Sequence, residues 1–393
     1  MTFKAPKSTI LKWSFYSVFA VLVGCSQPPP DIPTADLSEA FPEVAKFIDG
    51  KADEVSQDPR SAKAWGAYAM SLDAHEYRDI AIAAYQEAHR LAPHELKWSY
   101  LLSQQLRATA PREALQVLQS TPLELHDALV TYRIGELAEE TGQLELAISS
   151  YRDVLKLTPQ HPLATSRLAT VLFRRGDATA ALQQLDSLQQ AYRESTKLRA
   201  QILLSQGKVS EAKTLDAAAI SNSKFLPALQ DPLLKSLFKY RRDPLYQAMQ
   251  AVESINQGRA WAITTLEKLV EKHPELVQVR LIYAEALLQQ NDFEAAENVI
   301  ATGLEKSPNN AMLLALWGSS EIAQSQWKQA EQHFRAAITV KPDYVGAHAD
   351  LGYVFEQQQQ YSAAIEEYEW VLKMKPADEQ IARRLDRLRH HTK

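Results

Sequence analysis

One cysteine in 393 residues cannot close an internal disulfide, so no disulfide framework supports the fold. Glycine is scarce at 12, while Ala, Leu, Gln and Glu abound, and that balance favours helix because these side chains lose little rotamer freedom there. A basic excess is lacking: the net charge of -5 does not suggest a nucleic-acid binder, and no nucleic-acid partner is expected. The apolar stretch from Trp13 to Gly24 falls short of the roughly 20 residues a membrane span requires. Gly-x-Ser-x-Gly, Walker-type and dinucleotide-binding glycine loops are missing, and so is Cys-x-x-Cys-His. No catalytic residue, cofactor or covalently attached haem is therefore expected. None of the ten histidines forms a His-x-x-x-His pair and no cysteine joins them, so no metal site is expected either. The length exceeds what one small core fills and fits two or more domains or one elongated array.

The N-terminus has the layout of a processing signal. Lys4, Lys7 and Lys12 precede the apolar stretch, and no acid occurs before Cys25. Leu22-Val23-Gly24-Cys25 resembles the bacterial lipobox. That resemblance implies cleavage before Cys25, lipid on its thiol and acylation of the new N-terminus, several acyl chains together anchoring far more firmly than one. Ser26 fits the pattern that permits transport to the outer membrane. Removing residues 1–24 deletes three lysines and no acid, which takes the net charge from -5 to about -8. The proline-rich run after Cys25 reads as a stiff, extended tether.

Downstream the chain repeats. Pro274, Pro308, Pro342 and Pro376 are spaced by 34 residues, as are Pro59 and Pro93. In the last full unit Leu351-Gly352, Phe355, Tyr361, Ala364, Tyr368, Val371 and Pro376 form a pattern of bulky, small and aromatic positions closed by proline. Trp317-Gly318, Trp327, Ala330, Phe334 and Ala337 repeat it one unit earlier, and Trp65, Ala69, Tyr77, Ala81, Tyr85 and Ala88 repeat it near the N-terminus. Small residues let paired helices approach, aromatics fill the space between pairs, and proline ends the second helix.

This pattern resembles the tetratricopeptide repeat. The resemblance implies an all-α, right-handed superhelical solenoid of helix hairpins, with about nine repeats in two sub-arrays. The expected division is a signal peptide at 1–24 and lipidated Cys25 with its tether at 25–39. An N-terminal array with a leading cap helix follows at 40–220, then a joint or insertion at 221–242 that breaks the period. A second array occupies 243–378, and a capping helix with a basic tail occupies 379–393. The capping helix carries an apolar stripe of Ile381, Leu385 and Leu388.

In such repeats the second, fifth, ninth and twelfth positions of each first helix line the concave surface. In the second array this register selects Leu281, Glu285 and Leu288, then Met312, Ser319 and Ile322, then Tyr353 and Glu356. Several are apolar where the repeat does not require it, and exposed apolar rows often mark binding surfaces. Packing of these residues against a neighbouring helix is the competing explanation. The expected function is a non-enzymatic, lipid-anchored scaffold that holds protein or peptide partners at the periplasmic face of the bacterial outer membrane. The alternative is an accessory to an envelope enzyme or redox system, such as cytochrome assembly, that positions its substrate.

Overall fold

A computed structural model describes residues 30–221, 224–257 and 261–391. The expected leader and Cys25 lie outside the described residues. Helix α1 (Pro42–Gln57) precedes five helix hairpins: α2 (Ala62–Asp73) with α3 (Arg78–Leu91), α4 (Leu96–Leu106) with α5 (Pro111–Gln119), α6 (Ala128–Glu140) with α7 (Leu144–Leu157), α8 (Pro162–Arg174) with α9 (Ala178–Asp186), and α10 (Arg193–Ser205) with α11 (Val209–Ser221). A single-turn helix, α12 (Pro232–Lys235), and a 3-10 turn at Ser236–Tyr240 follow. Four more hairpins come next: α13 (Pro244–Asn256) with α14 (Trp261–Lys272), α15 (Val277–Gln289) with α16 (Phe293–Lys306), α17 (Ala311–Ala323) with α18 (Trp327–Val340), and α19 (Val345–Gln357) with α20 (Tyr361–Met374). Helix α21 (Glu379–His391) closes the array. The chain is an all-α solenoid of tetratricopeptide-like hairpins, and among the described residues the β structure amounts to one bridge between Tyr192 and Lys224.

Local chemistry explains the regular lengths. Helices α3, α7, α14, α16, α18 and α20 each end two residues before a proline, which cannot continue a helix and bars its predecessor from helical geometry. Asp127, Asp177 and Asn310 start α6, α8's partner α9, and α17 by accepting backbone N–H groups of the first turn. Seven of the hairpin turns place one residue in the left-handed region, for example Gly176 at φ 97° and Gln359 at φ 61°. Within hairpins, small residues admit large ones: a Cβ on Gly135 would lie 2.7 Å from the Tyr151 ring, and one on Gly318 2.8 Å from the Phe334 ring.

One continuous core runs from Val44 and Ile48 of α1 to Leu198 and Ile202 of α10. The second array has its own clusters, and Ile381, Leu385 and Leu388 of α21 are buried against the last of them. The segment expected to act as a tether meets the first array early. Ile32, Ala35 and Leu37 pack on its core, and the Tyr68 hydroxyl donates to the Pro33 carbonyl at 2.7 Å.

The period-breaking segment does not simply join one array to the next. From α11 the chain turns back across the first helices in reverse order. The Arg193 N–H donates to the Lys224 carbonyl at 2.8 Å beside α10, α12 packs on α4, and the 3-10 turn packs on α2. The segment ends where the Arg242 N–H donates to His75 Nε2 at 3.0 Å. The second array thereby starts beside the beginning of the first. Here His273, after α14, meets Glu43 of α1 at 2.7 Å and sets its ring edge-on to Phe41.

Candidate binding grooves

First helices of successive hairpins touch one another in the second array, α13 against α15, α15 against α17 and α17 against α19, so they form its inner side. The residues selected from sequence divide into four sets there. Met312, 46% exposed, and Glu285 face solvent. Leu281, Leu288 and Ile322 are partly buried against three different core clusters, so part of each contributes to packing. Ser319 donates to the Ala315 carbonyl at 3.1 Å. Tyr353 and Glu356 are drawn to the cap helix. Arg384 of α21 lies 4.8 Å over the Tyr353 ring and donates to Glu356 at 2.9 Å, while Glu356 also accepts from the Tyr368 hydroxyl at 2.9 Å. Burial pushes the neighbouring Asp350 carboxyl up to about 6.

The inner side of the first array carries a denser polar system. Tyr100 of α4 donates to Asp231 Oδ2 at 2.5 Å, and Arg133 of α6 donates to the same oxygen at 2.9 Å. Arg133 also donates to Tyr100 at 3.1 Å and to Glu136 at 2.7 Å. Asp231 Oδ1 meanwhile accepts the Leu234 N–H at 2.9 Å and caps α12. Arg107 extends the row by pairing with Glu136 at 3.4 Å and with Glu140, and Arg174 pairs with Glu139 at 2.9 Å. Burial, reinforced by the Asp231 hydrogen bond, pushes the Tyr100 hydroxyl far above its usual range. Burial works against the charge on Arg133, but Tyr100, Glu136 and Asp231 outweigh it and hold the guanidinium fully protonated.

Sequence reading missed this second groove because the concave register was applied to one array only. Extended to α4 and α6, the same positions select Tyr100 and Arg107, then Tyr132, Glu136 and Glu139. Arg133 and Arg167 are also 34 residues apart and hold equivalent places in α6 and α8. Nothing in the periodicity pointed to Asp231, which lies 131 residues from Tyr100.

Among the described residues, no group of three or more His, Cys, Asp or Glu side chains is placed to hold a metal ion. No helix among them is long and apolar enough to cross a membrane.

Tetratricopeptide-repeat models match residues 132–196, 260–316 and 316–379, so the chain carries tetratricopeptide repeats. The chain is 26% identical over 233 residues to the cellulose synthase operon protein C of Pseudomonas fluorescens, spanning 48% of this chain and 18% of that one. It is 21% identical over 253 residues to a DnaJ homolog subfamily C member 7 homolog of Dictyostelium discoideum, spanning 58% and 46%. It therefore spans less than half the length of either curated relative. Among solved structures it is similar to MamA (17% identity, TM-score 0.36, 38% of this chain and 90% of that one). It is also similar to PilW, described as a type IV pilus biogenesis factor (18% identity, TM-score 0.37, 48% and 94%). A solenoid of these repeats is a scaffold suited to protein–protein interaction.

Proposed function

We propose that this chain is a non-enzymatic adaptor, anchored by lipid on Cys25 at the periplasmic face of the bacterial outer membrane, which holds protein or peptide partners along its concave surfaces. The lipobox-like Leu22–Cys25 stretch, alone in carrying a cysteine, supports the anchor. The row of solvent-facing Met312 and half-buried Leu281, Leu288, Ile322 and Tyr353 supports the docking surface, and it carries the reading. Exposed Glu285 beside it favours a partner with a cationic group next to its apolar anchors.

A photo-crosslinker placed at Met312 in cells tests the groove. Leu288→Asp with Ile322→Asp should lower the crosslinked yield by about tenfold while helicity is retained, as expected when a central apolar anchor is lost. An unchanged yield overturns the groove. Cys25→Ala should move the protein from the membrane fraction to the soluble fraction, and persistent membrane association overturns the anchor.

A further inference from the structure

Residues 224–240 lie along the inner side of the first array, with Leu229, Leu233, Leu234, Leu237 and Tyr240 half-buried against its core. A structural segment normally buries its apolar side chains and exposes its charges. This segment departs from that rule at one charge, although Lys224, Lys235 and Lys239 are exposed in the ordinary way. Asp231 is fully buried at 6% exposure, whereas Phe225 is 66% exposed and Leu226, Leu229, Leu233, Leu234 and Leu237 all keep partial access to solvent. Its course crosses the first helices from α10 to α2, opposite to their order in the chain, as an extended peptide lies in a groove.

Few bonds hold it. The Tyr100–Arg133–Asp231 cluster is the central one. Glu194 accepts the Leu226 N–H at 3.2 Å, and the Lys224 carbonyl is held at one end. It also leaves room. Between Leu226–Leu229 and helices α6, α8 and α10 lies a cavity of about 440 Å³, lined by Arg133, Ser166, Arg167, Thr170 and Glu194. Ser166 is only 6% exposed, and its hydroxyl finds no hydrogen-bond partner among the described residues. A buried hydroxyl normally has a partner, so the unmet one marks a place for a polar group that the chain itself does not supply.

We propose that the inner groove of α4, α6, α8 and α10 is a binding site for an extended partner segment carrying one carboxylate between leucines, with the spacing Leu-x-Asp-x-Leu-Leu, and that residues 224–240 are a tethered occupant which such a segment displaces. The carboxylate would take the place of Asp231 between Tyr100 and Arg133. The flanking leucines would take the shallow seats of Leu229, Leu233 and Leu234, and a polar group of the incoming chain would reach Ser166. Tethering gives the internal segment a millimolar-range effective concentration, so only a partner with additional contacts wins the site. The proposal rests on the reading of the chain as a partner-binding scaffold, but it concerns a groove other than the one tested at Met312.

The probe is a fluorescent synthetic peptide of residues 224–240, titrated into the full chain. Loosening the internal copy raises the fraction of open groove and hence the apparent affinity. Asp231→Ala in the protein should therefore strengthen peptide binding by about tenfold over the unaltered chain. A peptide with alanine in place of its aspartate should lose that gain, and so should the protein carrying Arg133→Ala as well. Leu288→Asp with Ile322→Asp should leave peptide binding unchanged, which separates this site from the second array. Absence of binding to a folded Asp231→Ala protein overturns the proposal. A stable Asp231→Ala dimer in light scattering overturns the separate partner in favour of exchange with a second copy. Hydrogen exchange on the unaltered chain decides the matter even if that variant unfolds. Amides of residues 225–240 should exchange about a hundredfold faster than those of α4 and α6, since a ligand-like segment opens locally. Equal protection makes it core and overturns the proposal.

Discussion

Two glycines inside helices should respond oppositely to the same substitution. Replacing a mid-helix glycine by alanine gains roughly 1 kcal/mol of helix propensity where the new methyl meets nothing. At Gly50 of α1 a Cβ has no neighbour within 4 Å, so Gly50→Ala should stabilise by about 0.5–1 kcal/mol. At Gly352 of α19 a Cβ would sit 2.6 and 2.8 Å from two Tyr368 ring carbons and 3.3 Å from Glu367 Cβ. Carbon atoms prefer about 3.5–4.0 Å, so the ring must retreat by roughly 1 Å. Tyr368 has nowhere to go: it is fully buried, and its hydroxyl is fixed to Glu356, itself held by Arg384. Overpacking costs about 1–3 kcal/mol and a weakened bond to a carboxylate up to a further ~1.5–3, against the ~1 gained from propensity. Gly352→Ala should therefore destabilise by about 2 kcal/mol, read as a lower urea midpoint by circular dichroism. In a Tyr368→Leu background the alanine penalty should vanish, because the obstructing ring is gone. Gly352→Ala matching the unaltered chain, or Gly50→Ala falling as far as Gly352→Ala, would refute the close-approach argument.

Asp350 supplies a pH-dependent test. Its folded carboxyl, raised by burial from 3.8 to about 6, binds protons more tightly than the unfolded one, so its contribution falls as pH rises between those values and stays unfavourable above them. Asp350→Asn should thus gain up to about 3 kcal/mol near pH 7.5 and almost nothing near pH 3.5, measured as paired urea midpoints. Glu43 has the opposite sign. Burial raises its carboxyl, but backbone hydrogen bonding, Lys272 and His273 together draw it below the usual range, so the docking of the second array on α1 persists above that range and weakens in acid. Glu43→Ala should raise the radius of gyration in small-angle scattering at unchanged helicity, and an unchanged radius would refute a role in holding the arrays together.

Much of the solenoid was legible because repeat architecture is written locally. Proline at a 34-residue spacing and glycine or alanine opposite an aromatic each act within one hairpin or its neighbour, so periodicity carries them. The inner face was legible only in part. Register alone placed Met312 on the solvent side, but it could not show that Glu356 would be taken by Tyr368 and Arg384, since the cap helix lies outside the repeat. Arg107, Glu136 and Glu139 of the ion row follow from the same register once it is applied to the first array, whereas Arg174 lies one residue past it.

The destination of residues 224–240 was a different kind of information. A non-periodic segment has no register, and its position is decided by tertiary complementarity: an acid for a buried arginine and tyrosine, leucines for shallow seats between helices. Such a decision has a structural consequence beyond the groove. By carrying the chain back from α11 to His75, the segment makes the second array begin against α1 rather than continue from α11. The two arrays are therefore linked through the same 17 or so residues that fill the first groove. Displacing those residues would release the restraint at Arg242 as well as the site at Arg133, so occupancy of one concave surface and the placement of the other are tied by a single covalent strap.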